Sequence, residues 1–219
     1  MIPPTESGAL AGAGWAGGDR RIVLATRNSG KVVELREILA DVLARLDAQL
    51  VGVAEFGVAD VVETGVTFEA NAALKALTVA RETGLPALAD DSGLAVDVLG
   101  GAPGVFSARW CGRHGDDEAN LRLLLAQLAD VPDEHRTAAF VCCAVLALPD
   151  GQTVAREGVF PGTLTREPRG ENGFGYDPIL QVAGRDETSA ELAPAEKNAI
   201  SHRGKAFRAL AEVLPELLG

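Results

Sequence analysis

The stretch Arg21–Lys31 reads RIVLATRNSGK. Arg21 to Thr26 is a short apolar run with a β-branched centre, which predicts a buried strand. Arg27 to Gly30 is a polar turn. From Lys31 onward Val32, Leu35, Ile38, Leu39, Val42 and Leu43 recur at helical spacing, which predicts an amphipathic helix. A strand, a tight polar loop and a helix in this order place backbone N–H groups and a helix N-terminus beside the loop, where an anion is favoured.

Outward from this unit, Leu50 to Phe56 and Val61 to Thr67 read as extended, and a second helix is expected over Phe68 to Glu82, stopped by Gly84 and Pro86. Ala87 to Ala89 leads into Asp90-Asp91-Ser92-Gly93, and Leu94 to Leu99 alternates like a strand. A third helix follows Gly115 or Asp116. Thr137 to Leu148 and Gln152 to Phe160 flank the turn signal Pro149-Asp150-Gly151, so an antiparallel hairpin is expected. A short strand at Pro178 to Val182 and helices at Pro194 to Lys197 and Ser201 to Leu218 complete the chain. Strands and helices mix without strict alternation, so the fold class is α/β with a mixed sheet.

The 219 residues carry 47% hydrophobic and 23% charged side chains, enough for one packed domain over residues 20–219. Residues 1–19, rich in Gly, Ala and Ser, read as a disordered extension without the basic and apolar regions of a secretory signal. No apolar run approaches the ~20 residues that cross a bilayer. The net charge of −11 argues against a protein that tracks along nucleic acid, though a few clustered cations still suit a small anionic ligand. Cys111, Cys142 and Cys143 are an odd count with an adjacent pair, which fits buried thiols in a reducing compartment. A cytoplasmic protein is expected.

Five segments have residue types suited to nucleotide chemistry. Thr26-Arg27-Asn28-Ser29-Gly30-Lys31 combines hydroxyls, a glycine and a cation at a helix start, without Walker A spacing; a plain capped turn reads the same way. Glu63 with Asp90-Asp91 supplies the carboxylates that Mg²⁺ prefers. Adjacent strand residues face opposite ways, so Asp91 alone is expected at the site; the bland alternative is that both acids cap a turn before Gly93. Asn71 and Lys75 share one helical face. Gly173-Phe174-Gly175-Tyr176-Asp177 leaves room for a flat ring on Phe174, with Asp177 an acceptor for base or sugar, or closes an ordinary bend. Ser201 is an N-cap that exposes His202 and Arg203 in the first turn, where cations call for an anionic or carbonyl partner. His114 and His135 read as solvated.

In order and spacing these segments resemble the noncanonical purine NTP pyrophosphatases, the dITP/XTP pyrophosphatase or inosine-triphosphatase-like family. The resemblance runs from about Arg21 to the C-terminus through LATRNSGK, ETGVTFEANAALKA, ADDSGLAVDVLGGAPGVFSARW, GFGYDPI and EKNAISHRGKA. It implies a two-lobed fold with the substrate in a cleft, a homodimer, and Mg²⁺-dependent release of pyrophosphate from dITP, ITP or XTP, cleansing the nucleotide pool. On matching positions it implies that Thr26, Arg27, Asn28, Ser29, Gly30 and Lys31 bind the substrate, chiefly its phosphates. Asp91 would be proton acceptor and metal ligand, with Glu63 as second metal carboxylate. Ser92, Phe174, Gly175, Tyr176, Asp177, Lys197, His202 and Arg203 would bind the nucleotide. Val62 departs from the family, standing where some members carry a further acid. A house-cleaning enzyme for pyrimidine or methylated nucleotides, and a sensor that binds NTPs without cleaving them, are the competing readings.

Overall fold

A computed structural model describes residues 15, 18–27 and 29–219. Most of the expected N-terminal extension, together with Asn28 and the side chain of Ser29, lies outside the described residues. The elements run β1 (Arg21–Leu24), α1 (Ser29–Ile38), α2 (Ala40–Leu46), β2 (Gln49–Gly52), α3 (Phe68–Thr83), β3 (Ala87–Val96), α4 (Asp117–Gln127), β4 (Thr137–Ala147), β5 (Thr153–Leu164), β6 (Leu180–Val182), α5 (Pro194–Ile200), α6 (His202–Ala211) and α7 (Leu214–Leu218). The six strands form one mixed sheet in the order β2-β1-β3-β4-β5-β6. β2, β1 and β3 are parallel, whereas β3 to β6 pair antiparallel.

Alternation along the strands sorts side chains into two cores. Ile22, Leu24, Leu88 and Cys142 pack with Leu35, Leu39, Phe207 and Leu210 of α1, α6 and their neighbours. Val23, Ala87, Ala89 and Cys143 pack on the other face with Ala72, Ala76 and Val79 of α3. A third core gathers the far ends of β3, β4 and β5 with α4 and β6, around Leu94, Leu124, Phe140 and Ile179. Cys142 and Cys143 are buried, as expected, whereas Cys111 is only half-buried; burial pushes the Cys142 and Cys143 thiols up, Cys143 to about 11.

Four expectations need correction. The strand expected over Leu94 to Leu99 starts at Ala87 and ends at Val96, with Asp90 to Gly93 inside it, so the alternative in which both acids cap a turn falls. Each residue from Ala87 to Val96 has a partner on β4, and that ladder holds the acidic pair extended. The stretch 61–67 forms no strand, and after Gly52 the chain enters a 3-10 turn at Val53–Phe56. The first helix is interrupted at Leu39, although i to i−4 bonds from Leu39 N–H and to its carbonyl bridge the break. The C-terminal helix divides before Leu214 because Pro215 lacks the N–H that a continuous helix needs.

No described helix is long and apolar enough to cross a membrane.

Candidate active site

The site begins where β1 ends. The last bond between β1 and β3 is the Ala25 N–H donating to the Leu88 carbonyl at 2.7 Å, after which the chain turns into the loop before α1. β3 continues past this point, so Asp90, Asp91 and Ser92 lie beyond the carboxyl end of a parallel strand, where α/β sheets hold ligands. Alternation then separates the two acids. Asp90 follows Leu88 onto the α1 and α6 face, and Asp91 follows Ala89 onto the α3 face.

On the α3 face, the Asn71 side-chain amide donates to Asp91 Oδ2 at 3.0 Å and the Ser92 N–H donates to Oδ1 at 3.0 Å. Lys75, one turn after Asn71, has its Nζ 2.5 Å from Glu63 Oε1 and 3.8 Å from Asp91 Oδ1. The Gly65 N–H donates to Asn71 Oδ1 and so pins the otherwise irregular loop that carries Glu63. Burial raises the Asp91 carboxyl above its ordinary value and Glu63 adds to this, against the pull of Lys75 and Asn71. A raised carboxylate is a better proton acceptor than an ordinary one. Glu63 and Lys75 open onto a cavity of about 550 Å³ that Thr26, Arg27, Lys31 and Arg109 also line. Arg27 is held there by Asp60 at 2.6 Å and by the Val58 carbonyl.

On the opposite face, Asp90 is buried between two cations. Lys31 Nζ lies 3.3 Å from both carboxylate oxygens, and Arg203 Nε donates to Oδ2 at 3.2 Å. Arg203 Nη1 is 3.6 Å from Glu34 Oε2. Burial alone would raise the Asp90 carboxyl, but Lys31, Arg203 and Lys75 overcome it and hold the group well below the usual carboxylate range. Arg203, raised despite its burial, finds its anionic partners within the protein, so the partner that its place in a first turn called for is Asp90 together with Glu34.

Beside this pair lies a second cavity of about 270 Å³. Ser92, Phe140, Phe174, Tyr176, Lys197 and His202 line it, and Arg203 and Glu34 border it. Phe174 is 65% exposed, an unusual state for a large aromatic, and Lys197 Nζ lies 5.7 Å from its ring centre. Tyr176 is buried with its hydroxyl donating to the Ser107 carbonyl. Asp177 accepts from the Phe174 N–H, Ser189 Oγ and Lys197 Nζ, at 2.8, 2.8 and 2.5 Å, so its oxygens serve the loop and the lysine. Gly175 donates its N–H to Asp117 at 3.0 Å.

His202 stacks on Phe140 with ring centres 5.1 Å apart, and its Nδ1 has no hydrogen-bond partner among the described residues. Burial, with Arg203 and Lys197 nearby, pushes it down to about 3, so it is neutral at physiological pH. One close approach and one cap set the geometry. Gly158 of β5 lets α6 lie on the sheet, since a Cβ there would stand 2.1 Å from the His202 carbonyl oxygen. Ser201 caps α6 by accepting from the Gly204 N–H, as the sequence predicts, but the first turn it opens is buried rather than exposed, because α6 packs His202 and Arg203 against the sheet.

Several residues of the site were not picked out as such in the sequence. Glu34 is one polar position on an amphipathic helix, Arg109 lies in a loop-like stretch and Asp117 opens the third helix, so none carries a spacing signal. His114, read as solvated, is exposed and also lines the larger cavity. Asn71 and Lys75 did carry one, their i, i+4 spacing, and the structure brings both to Asp91.

The sequence profile of the Ham1 family matches residues 22–213. The chain belongs to the Ham1 family. A Streptomyces coelicolor relative named dITP/XTP pyrophosphatase is 64% identical over 200 residues, covering 91% of this chain and 99% of the relative. One of the same name from Leifsonia xyli is 54% identical over 197 residues, covering 90% and 96%. Among solved structures, a HAM1 protein from Coxiella burnetii superposes with a TM-score of 0.83 at 46% identity, covering 90% of this chain and 98% of that one. A nucleoside-triphosphatase / dITP/XTP pyrophosphatase from Mycobacterium abscessus gives 0.74 at 51%, covering 89% and 99%. The Ham1 assignment confirms the family that the motifs resemble and the mixed α/β fold.

Proposed function

We propose that this Ham1-family chain hydrolyses noncanonical purine nucleoside triphosphates, dITP, ITP and XTP, to the monophosphate and pyrophosphate, and so cleanses the nucleotide pool. The observation that carries this reading is the division of labour along β3. Asp91 lies 3.8 Å from Lys75, which lines a polar cavity with Glu63 and Lys31, while the next residue, Ser92, lines a more apolar cavity with an exposed aromatic ring. A triphosphate suits the first and a purine the second. The names of the relatives support the same substrates.

The donor set fits Mg²⁺. No group of three or more acidic, histidine or cysteine ligands occurs among the described residues. Mg²⁺ characteristically takes one or two carboxylates and leaves its other positions to water and substrate phosphate. Asp91 and Glu63, both in contact with Lys75, would hold it. When bound it would neutralise phosphate charge and polarise the reacting group.

The chain's own residues do the rest. Thr26 to Lys31 cradle the phosphates at the start of α1, and Lys31 and Lys75 add positive charge. Asp91 accepts a proton from the attacking water as its oxygen bonds to the α-phosphorus. The bond from that phosphorus to the bridging oxygen breaks, and pyrophosphate leaves. Phe174 stacks on the base. A 6-oxo purine offers an acceptor to N–H donors of neutral His202 or Arg203, whereas adenine offers a 6-amino donor that leaves them unpaired, a mismatch worth up to ~10⁴-fold.

Pyrophosphate release from ITP, dITP, XTP, GTP, ATP, dUTP and dTTP, with Mg²⁺ and after its chelation, tests the reading beside Asp91→Asn. Mg²⁺-dependent turnover confined to inosine and xanthine nucleotides, and lost in the variant, supports it. Preference for a pyrimidine, or tight ITP binding without turnover, overturns it in favour of the competing readings.

A further inference from the structure

We propose that Asp90 is a positioning residue that couples the two ends of the substrate site, holding the phosphate-end cation Lys31 and the base-end cation Arg203 on one carboxylate. The inference rests on the function proposed above and adds a connection between its two halves.

Lys31 lines the larger cavity and Arg203 the smaller one, and both reach Asp90 within 3.3 Å. Glu34 closes the group on the far side of Arg203. Lys31 and Glu34 lie three residues apart on α1, so one helix face serves both cavities. The quartet has two positive and two negative members and is formally neutral. Stability is a poor reason for it. Asp90 shares its face of β3 with the apolar cluster of Leu88, Cys142 and Ala144, and buried ion pairs are often no better than well-packed hydrophobic residues.

Accessibility supplies the asymmetry. The Asp90 side chain is 3% exposed and Arg203 8%, but Lys31 is 26% exposed and within reach of a phosphate. A triphosphate that draws Lys31 away leaves the Asp90 carboxylate to Arg203, and so orders the guanidinium that faces the base. Occupancy at one end then changes affinity at the other, which is a coupling free energy between sites. The two ends recognise a nucleoside triphosphate as one object, because a single fixed anion is shared between them.

The test is steady-state kinetics with ITP and with ATP for the unmutated protein, Asp90→Asn and Lys31→Met. Asp90→Asn removes an anion and leaves a surplus positive charge. Phosphate binding therefore survives, with KM for ITP little changed and inhibition by inorganic tripolyphosphate at least as strong. Its kcat falls, and the ITP-over-ATP ratio of kcat/KM falls at least about tenfold as Arg203 loses its anchor. Lys31→Met, although that side chain reaches the substrate only at its phosphates, leaves the Asp90 carboxylate to Arg203 and so raises that ratio while KM rises for both nucleotides. Loss of ITP and ATP turnover in equal proportion in both variants overturns the proposal, whatever happens to thermal stability. Should Asp90→Asn fail to fold, the ratio in Lys31→Met, altered at a partly exposed position, decides alone. Absence of ITP turnover in the unmutated protein is a failure of the proposed function instead, and the coupling falls with it.

Discussion

Gly93→Ala perturbs the junction between β3 and the 3-10 segment Gly104–Arg109, and its cost can be worked from distances. A Cβ on Gly93 would lie 2.4 Å from the Gly104 carbonyl oxygen, 2.5 Å from Ser107 Oγ and 3.0 Å from the Phe68 ring. The first of these is backbone and cannot swing aside. Ser107 Oγ is tied as well, accepting from the Leu94 N–H at 2.9 Å and donating to the Gly104 carbonyl at 2.7 Å. Relieving the contact means separating the two segments and stretching both bonds. Overpacking costs ~1–3 kcal/mol and the two hydrogen bonds ~1 kcal/mol each, offset by ~0.4–1 kcal/mol from stiffening the unfolded chain. The net loss is about 2–4 kcal/mol, or roughly 5–15 °C in Tm for a domain of this size. Differential scanning calorimetry reads the stability. Because Ser92 and Ser107 both line the smaller cavity, KM for ITP rises in the same variant. A Tm within about 2 °C of the parent with unchanged KM would refute the reasoning, since it would mean that β3 and its neighbour do not meet so closely.

Three further outcomes are expected. Asp91→Asn keeps the size of the side chain but not its basicity, so pyrophosphate release from ITP falls by ~10²–10⁴-fold while the circular dichroism spectrum is retained. His202, lowered to about 3 in the folded protein, takes its proton more readily when unfolded; stability therefore falls as pH drops below about 6.5, by ~1.4 kcal/mol per pH unit, until about pH 3. Urea unfolding between pH 7 and pH 4.5 measures that slope, and His202→Gln flattens it; an equal slope in the variant would place the effect elsewhere. Phe174→Ala leaves stability within about 0.5 kcal/mol, because the ring is largely exposed, but raises KM for ITP roughly tenfold through lost stacking.

Much of this protein was determined locally. The run Arg21–Leu24 followed by a helix from Ser29, the cap at Ser201, and the hairpin around Asp150 were all legible because propensity, periodicity and turn chemistry act within a few residues. The two-residue period of a strand separated the acids of the DDSG segment, and the 3.6-residue period of a helix put Asn71 and Lys75 on one face. Which cations each acid meets was decided by tertiary structure. Asp90 finds Arg203 across 113 residues of chain, and Gly175 finds Asp117 across 58, because β4 and β5 carry the chain back to β3 and a glycine at 158 lets α6 settle on the sheet. The continuation of β3 through Asp90–Gly93 was only half legible, since two acids, a serine and a glycine suit a turn as well as a strand; a full ladder with β4 decides for the strand. Pairings that span the chain cost loop entropy and depend on every intervening element, so no local rule reports them. Sequence determined the residues available for chemistry, and the sheet decided which of them meet.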